Sequence, residues 1–99
     1  MEKFNDIIMG SKPVLVDFFA SWCGPCKTMS PILESLKQQM GDKIRIIKID
    51  VDKNEAIAHL YNIRSVPTLL LFKNGNIVWR ASGAQPLEQL KATLSQHIF

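Results

Sequence analysis

The sequence has few of the features that support specialised sites. It contains two cysteines and two histidines in 99 residues, and its apolar runs are only as long as a β-strand. A membrane-spanning helix needs about 20 apolar residues, so we expect no membrane span. The N-terminus lacks the basic, apolar and small-residue order of a signal peptide. We therefore expect a cytoplasmic protein.

The chain also has little excess charge. Its net charge is +3, and basic residues alternate with acidic ones, as in KIRIIKIDVDK. No stripe of basic and aromatic residues accompanies them, which argues against binding nucleic acid or membranes. With 46% hydrophobic residues, the chain can form one core. We expect a single domain, residues 1–99, and a monomer.

Apolar periodicity predicts eight elements in the order α-β-α-β-α-β-β-α. The segments PVLVDFFA (13–20) and KIRIIKIDV (43–51) are near-continuous apolar runs, which indicate strands covered on both faces. An Asn-Gly pair at 74–75 lies between two apolar runs and predicts a β-hairpin. Strands joined through helices pair in parallel, so the fold class is α/β: a three-layer sandwich around a mixed sheet.

Several residues mark the ends of these elements. Gly41 predicts the end of the second helix, and Pro31 inside that helix predicts a kink. Asn54 is the expected N-cap of the third helix. Gly83 is expected to end the last strand, and Pro86 to open the last helix.

The motif WCGPC holds both cysteines, Cys23 and Cys26. A structural zinc ion needs four ligands, and the only histidines, His59 and His97, fall in different predicted helices. A metal cluster bridging two chains remains an alternative, because a second chain would supply further ligands. A purely structural disulfide is a poor explanation, because a bond between cysteines so close in sequence closes almost no loop in the unfolded chain. The pair is better explained by reversible redox chemistry.

The position of the motif supports that chemistry. Cys23 is expected at the N-terminus of a helix, where free N–H groups and the helix dipole favour a thiolate. Pro25 fits the first turn, and Cys26, one turn further, is expected to be the more covered thiol. Lys27 either adds local positive charge or is simply solvated.

Two charged residues interrupt apolar strands. Asp17 lies on the same strand face as Leu15 and Phe19, and burial would raise its pKa. It is a candidate to exchange a proton with Cys26. Lys48, mid-strand among isoleucines, is a candidate partner for Asp17. An edge position or a salt bridge without function would equally explain Lys48.

Four segments of the chain resemble thioredoxins in order and spacing, from about Val14 to the last helix. They are DFFASWCGPCK, KIDVDKN, YNIRSVPTLLLFKNG and SGA. The resemblance implies the thioredoxin fold. It also implies that Cys23 is the nucleophile, Cys26 the resolving thiol and Asp17 the buried proton acceptor and donor, with Lys48 beside it.

The resemblance further implies a surface on which target proteins dock, and a cis bond before Pro67. From the residues alone, Trp22 and Val66 would be assigned to the core. The implied substrate-binding residues are Trp22, Gly24, Pro25, Val66, Pro67, Gly83 and Ala84.

The chain departs from the family pattern in three places. The family's first strand has no counterpart in residues 1–8, so we expect four strands. Phe19 stands where many members have tryptophan, and Ser65 stands where glycine often precedes Val66. None of these departures touches the reaction. Trp79 lies outside the motifs and is expected to pack on the sheet.

The implied function is reduction of protein disulfides by dithiol–disulfide exchange. It needs no bound cofactor, because the thiols hold the electrons. The implied partners are disulfide-containing proteins and a thioredoxin reductase, which is an NADPH-dependent flavoprotein. Two alternatives remain: an isomerase or oxidase of the same fold, against which the Gly-Pro dipeptide argues, and a binding clamp without redox turnover.

Overall fold

The computed structural model describes residues 3–98, and the predicted element order is confirmed there. Met1, Glu2 and Phe99 lie outside the described residues. The helices and strands are α1 (Phe4–Ile8), β1 (Val14–Phe19), α2 (Gly24–Met40), β2 (Arg45–Asp50), α3 (Glu55–Leu60), β3 (Thr68–Lys73), β4 (Asn76–Ser82) and α4 (Leu87–Ile98); a short 3₁₀ turn, Gly41–Lys43, follows α2.

One mixed sheet organises the described residues, with strand order β2-β1-β3-β4. β1 pairs in parallel with β2, so that Asp17 is the register partner of Lys48. β3 pairs antiparallel with both β1 and β4. Residues 3–98 thus contain four strands, the number expected from the sequence.

Helices cover both faces of this sheet, as the α/β/α prediction requires. Helices α2 and α4 pack on one face, where Leu36 and Leu94 join Leu15 of β1. Helices α1 and α3 cover the other face, where Phe18 of β1 packs with Ile8. Because side chains alternate along a strand, β1 contributes to both cores and is buried on both sides.

The turn signals predicted local structure correctly. Asn74 and Gly75 both have positive φ, 53° and 82°, which the hairpin turn requires. Gly41 ends α2 with a φ of 56°, and its N–H donates to the Lys37 carbonyl. Helix α2 continues through Pro31, so the kink there stays a prediction.

One local prediction was wrong, and a second was confirmed in position but not in its side-chain contact. β2 was expected to be buried on both faces, but it lies at the edge of the sheet, and none of its six residues is fully buried. Its neighbour within residues 3–98 is β1 alone, so one side of the strand is open. Asn54 does occupy the N-cap of α3, but its side-chain amide donates to the Asp50 carbonyl instead of capping the helix.

Candidate redox site at the start of α2

The two cysteines lie where the chain leaves β1 and enters α2. Cys23 is the N-cap residue of α2, and its sulfur accepts a hydrogen bond from the Cys26 backbone N–H at 3.2 Å. The two residues are joined by a disulfide, with their Cα atoms 5.3 Å apart. Pro25 sits in the first turn, where the N–H that proline lacks has no partner in the helix. The helix N-terminus therefore presents its positive end to Cys23.

The prediction that Cys26 is the more covered cysteine was wrong for this oxidised form. Cys23 is 3% exposed and Cys26 is 5% exposed. Both pack with Ala20, and the half-buried Val66 closes the same cluster. In the disulfide form, both cysteines are therefore covered by these apolar side chains.

Asp17 is buried in β1 on the face that meets α2. It is only 1% exposed, and its Oδ1 atom has no hydrogen-bond partner among residues 3–98. Burial raises the pKa of Asp17 from 3.8 to about 6, while the positive charge of Lys48 acts in the opposite direction. Desolvation is the larger effect because a buried carboxylate loses its hydration. This carboxyl is suited to exchanging a proton near neutral pH.

A cavity of about 210 Å³ connects Asp17 to Cys26. Asp17, Cys26, Lys27, Ser30 and Lys48 line it, together with the Phe19–Ser21 segment. Lys48 is an exposed residue of the edge strand, and its Nζ donates to Ser30 Oγ at 2.7 Å. The structure therefore brings Asp17 and Cys26 to one cavity, with Lys48 at its margin.

Trp22 forms an exposed apolar patch beside the disulfide. It is 71% exposed, which overturns its assignment to the core from the residues alone. Its indole Nε1 donates to Asp52 Oδ2 at 2.9 Å, so the ring is held in place although solvent reaches it. A shallow cavity of about 140 Å³ lies between Trp22, Ile63 and Val66.

The loop before β3 forms the other side of the redox pair. The Val66–Pro67 bond is cis, as the resemblance implied. Cys23 Sγ lies 3.6 Å from the Val66 carbonyl oxygen. Gly83 has a φ of 87°, a region that favours glycine, and its N–H donates to the Pro67 carbonyl at 2.8 Å. This bond ties the Gly83 turn to the loop; the neighbouring Ala84 is exposed, as are Gly24 and Pro25 at the start of α2.

Sequence reasoning missed two residues of this site. Asp52 orients the Trp22 ring, and Ser30 holds the Lys48 ammonium. Asp52 stood in the KIDVDKN segment and Ser30 directly before Pro31, but neither pattern indicated a partner. Both contacts join residues at least 18 positions apart, so only the tertiary structure reveals them.

Within residues 3–98, no group of three or more His, Cys, Asp or Glu residues could hold a metal ion. No helix in that range is long and apolar enough to cross a membrane.

The sequence is similar to those of known proteins from one family. The thioredoxin family model matches residues 1–96. A thioredoxin of Bacillus subtilis is 49% identical over 85 residues, which cover 86% of this chain and 82% of that protein. A thioredoxin of Haemophilus influenzae is 44% identical over 96 residues, which cover 96% of this chain and 90% of that one.

A solved structure agrees with the fold. The crystal structure of the Malassezia sympodialis thioredoxin superposes with a TM-score of 0.88 at 39% sequence identity. The match covers 97% of this chain and 86% of the other. The same sandwich is therefore found in a related chain of similar length.

Proposed function

We propose separate roles for the two cysteines of this chain, which belongs to the thioredoxin family and is a thiol–disulfide oxidoreductase with protein-disulfide reductase activity. Cys23 is the attacking thiol and Cys26 the resolving thiol. The observation that carries this proposal is the Cys23–Cys26 disulfide at the N-terminus of α2, near the buried carboxyl of Asp17, whose Oδ1 has no hydrogen-bond partner within residues 3–98.

In the first step, the Cys23 thiolate attacks one sulfur of a substrate disulfide. A mixed disulfide forms, and the other substrate sulfur leaves as a thiolate. The N-terminus of α2 stabilises the Cys23 thiolate through its unpaired N–H groups and its dipole. Reaction begins from the dithiol form, in which the sulfur of Cys23 is no longer held by Cys26.

In the second step, Cys26 loses its proton and attacks the sulfur of Cys23. The mixed disulfide breaks, the second substrate sulfur leaves as a thiolate, and the Cys23–Cys26 disulfide forms. Two electrons have then passed from the protein to the substrate. Asp17 takes the Cys26 proton across the cavity that both line, and Lys48 acts on the charge of Asp17. The cavity volume of about 210 Å³ leaves room for water to carry that proton.

Substrate proteins dock on the exposed surface around the disulfide. An extended substrate segment lies along the Val66–Pro67 loop, where main-chain hydrogen bonds can hold it. Trp22 supplies apolar contact area from the opposite side. The proposed docking surface consists of Trp22, Gly24, Pro25, Val66, Pro67, Gly83 and Ala84. Trp22, Gly24, Pro25 and Ala84 are exposed, Val66 and Gly83 are half-buried, and Pro67 is buried beneath them.

Membership in the family implies a thioredoxin reductase and substrate proteins as general partners. We further propose that the reductase is an NADPH-dependent flavoprotein, and that this chain acts as a monomeric single domain in the cytoplasm. The modest net charge of +3 supports an absence of nucleic acid and membrane partners.

Single-serine variants test the roles of the two cysteines. Incubated with insulin as the disulfide substrate, Cys26→Ser should accumulate a mixed disulfide that intact-mass spectrometry detects. Cys23→Ser should form none and should not reduce insulin. A trapped complex with Cys23→Ser, and none with Cys26→Ser, would reverse the assignment.

The equilibrium reduction potential separates a reductase from its alternatives. It can be read from tryptophan fluorescence in a dithiol redox buffer, because Trp22 is adjacent to Cys23. We expect about −270 mV, the value typical of thioredoxins. A value above about −200 mV would indicate an isomerase or oxidase. Undiminished function in cells of the double-serine variant would indicate a binding clamp.

A further inference from the structure

The side chain of Lys48 is held in one place although its strand lies at the edge of the sheet. An exposed lysine on an edge strand is normally free to move, because its long side chain loses rotamer entropy when it is fixed. Here Lys48 Nζ donates to Ser30 Oγ at 2.7 Å. The contact joins β2 to α2 across 18 positions of sequence.

Ser30 lies on the same side of α2 as the resolving cysteine. It follows Cys26 by four residues, and side chains with that spacing are neighbours on a helix surface. Both residues line the cavity that reaches Asp17. The Ser30 hydroxyl is therefore placed between the edge strand and the site of proton exchange.

The ammonium group that Ser30 holds belongs to the nearest strand neighbour of Asp17. Asp17 and Lys48 are register partners in the parallel pair β1–β2. Lys48 donates to Ser30 while Asp17 Oδ1 stays without a partner among residues 3–98. Lys48 thus acts on Asp17 through its charge, from a position that the serine determines.

Few other titratable groups face Asp17. Cys26 and Lys27 reach its cavity from α2, and Lys48 from β2. From β3, the register partner of Asp17 is the apolar Leu69. Lys48 is the charged residue whose interaction with Asp17 opposes the effect of burial.

We propose that Ser30 is a positioning residue, whose hydroxyl holds the Lys48 ammonium at the cavity so that its charge acts on the buried carboxyl of Asp17. The proposal deepens the function above and rests on Asp17 as the proton acceptor for Cys26. Without the hydroxyl, the Lys48 side chain moves into solvent and its charge is screened. The Asp17 carboxylate then loses part of its stabilisation, and its pKa rises.

The test is an NMR titration of the Asp17 carboxyl carbon in the oxidised protein. We expect Ser30→Ala to move the midpoint to higher pH, by less than Lys48→Met does. Ser30→Thr keeps a hydroxyl and should restore the original midpoint. Ser35→Ala is the matched control, because it is the same change on the same helix outside the cavity, and it should leave the midpoint unchanged.

A double variant shows whether the effect passes through Lys48. In a Lys48→Met background, Ser30→Ala should produce no further shift. An equal shift in both backgrounds, no shift at all, or a shift to lower pH would each overturn the proposal.

Kinetics provide a second readout and separate this proposal from the one it rests on. In wild type, the rate of insulin reduction should rise with pH through the Asp17 midpoint, and Ser30→Ala should move that rise by the same amount as the titration. If Asp17→Asn leaves the pH profile of the rate unchanged, the role of Asp17 as proton acceptor fails. The NMR shift in Ser30→Ala still decides whether Ser30 positions Lys48.

Discussion

The two faces of strand β1 are both buried from Val14 to Phe18 but are chemically different. Toward α1 and α3, the strand presents Val14, Val16 and Phe18, which join an entirely apolar cluster. Toward α2, it presents Leu15 and then Asp17, a carboxyl that is 1% exposed. One face contributes only packing, whereas the other holds an ionisable group at an energetic cost.

The difference shows where this fold gives up stability for chemistry. A buried carboxyl without a full set of partners is destabilising, and nothing in the packing of β1 requires it. The same six-residue strand shows on its other face that apolar residues fill such positions well. The position of Asp17 on the cavity shared with Cys26 supports the role proposed for the carboxyl in proton exchange.

Truncation of a side chain on the apolar face should cause the largest loss of stability. Phe72 packs on this face, and its ring meets those of Phe4 and Tyr61 at centroid distances of 5.8 and 5.4 Å. Phe72→Ala should lower the free energy of unfolding by about 3–5 kcal/mol, since it removes a buried ring and leaves a cavity. Denaturant unfolding of the oxidised protein measures this loss.

The more conservative Phe72→Leu is the control for that experiment and should cost clearly less. Neither variant should change the reduction potential, because the ring lies on the face away from the redox pair. A change in potential as large as that caused by a substitution of Asp17 would show that the two faces are not independent.

On the other face, removal of the charge should stabilise the protein. At pH 7, Asp17→Asn should raise the free energy of unfolding by up to about 3 kcal/mol, the equivalent of a pKa raised from 3.8 to about 6. The same variant should reduce insulin more slowly, since Cys26 loses its proton acceptor. Denaturant unfolding and the reductase assay measure the two effects. Lower stability of Asp17→Asn at pH 7 would contradict the cost assigned to the carboxylate.

The stabilising effect of Asp17→Asn should depend on pH in a defined direction. Because the pKa is higher in the folded state, the folded protein binds more protons than the unfolded chain between about pH 4 and 6. The contribution of Asp17 to stability is therefore fully present below about pH 4 and is lost as pH rises through about 6. The free energies of unfolding of wild type and Asp17→Asn should be measured at pH 4, 5, 6 and 7. The difference between them should increase with pH. A constant difference would show that charge is not its cause.

The smallest effect is expected when a polar group is placed on the apolar face. Val16→Thr replaces a buried methyl group with a hydroxyl in nearly the same volume. We expect a loss of about 1–2 kcal/mol, from burying a hydroxyl without a partner there. The loss should not vary between pH 4 and 7, unlike the effect at Asp17. Thermal unfolding at these pH values checks both points.

Most of the fold could be predicted from local patterns. Alternation along β1 predicted correctly that Leu15 and Asp17 share a face, and Asn74-Gly75 predicted the hairpin turn. The edge position of β2 was one of the explanations open for Lys48, but the local pattern could not select it. Its isoleucines give it the composition of a central strand, and the strand order of a sheet depends on contacts between distant segments.

The features of the redox site also divide into those that the sequence determined and those that only the tertiary structure decided. The sequence alone determined that the two cysteines meet at a strand–helix junction, because spacing along the chain sets which groups share a helix turn. Only the tertiary structure decided that Cys23 is covered in the disulfide, that Trp22 is exposed and held by Asp52, and that Ser30 holds Lys48. Local periodicity places a side chain on a face, but burial and partners depend on which elements pack against that face.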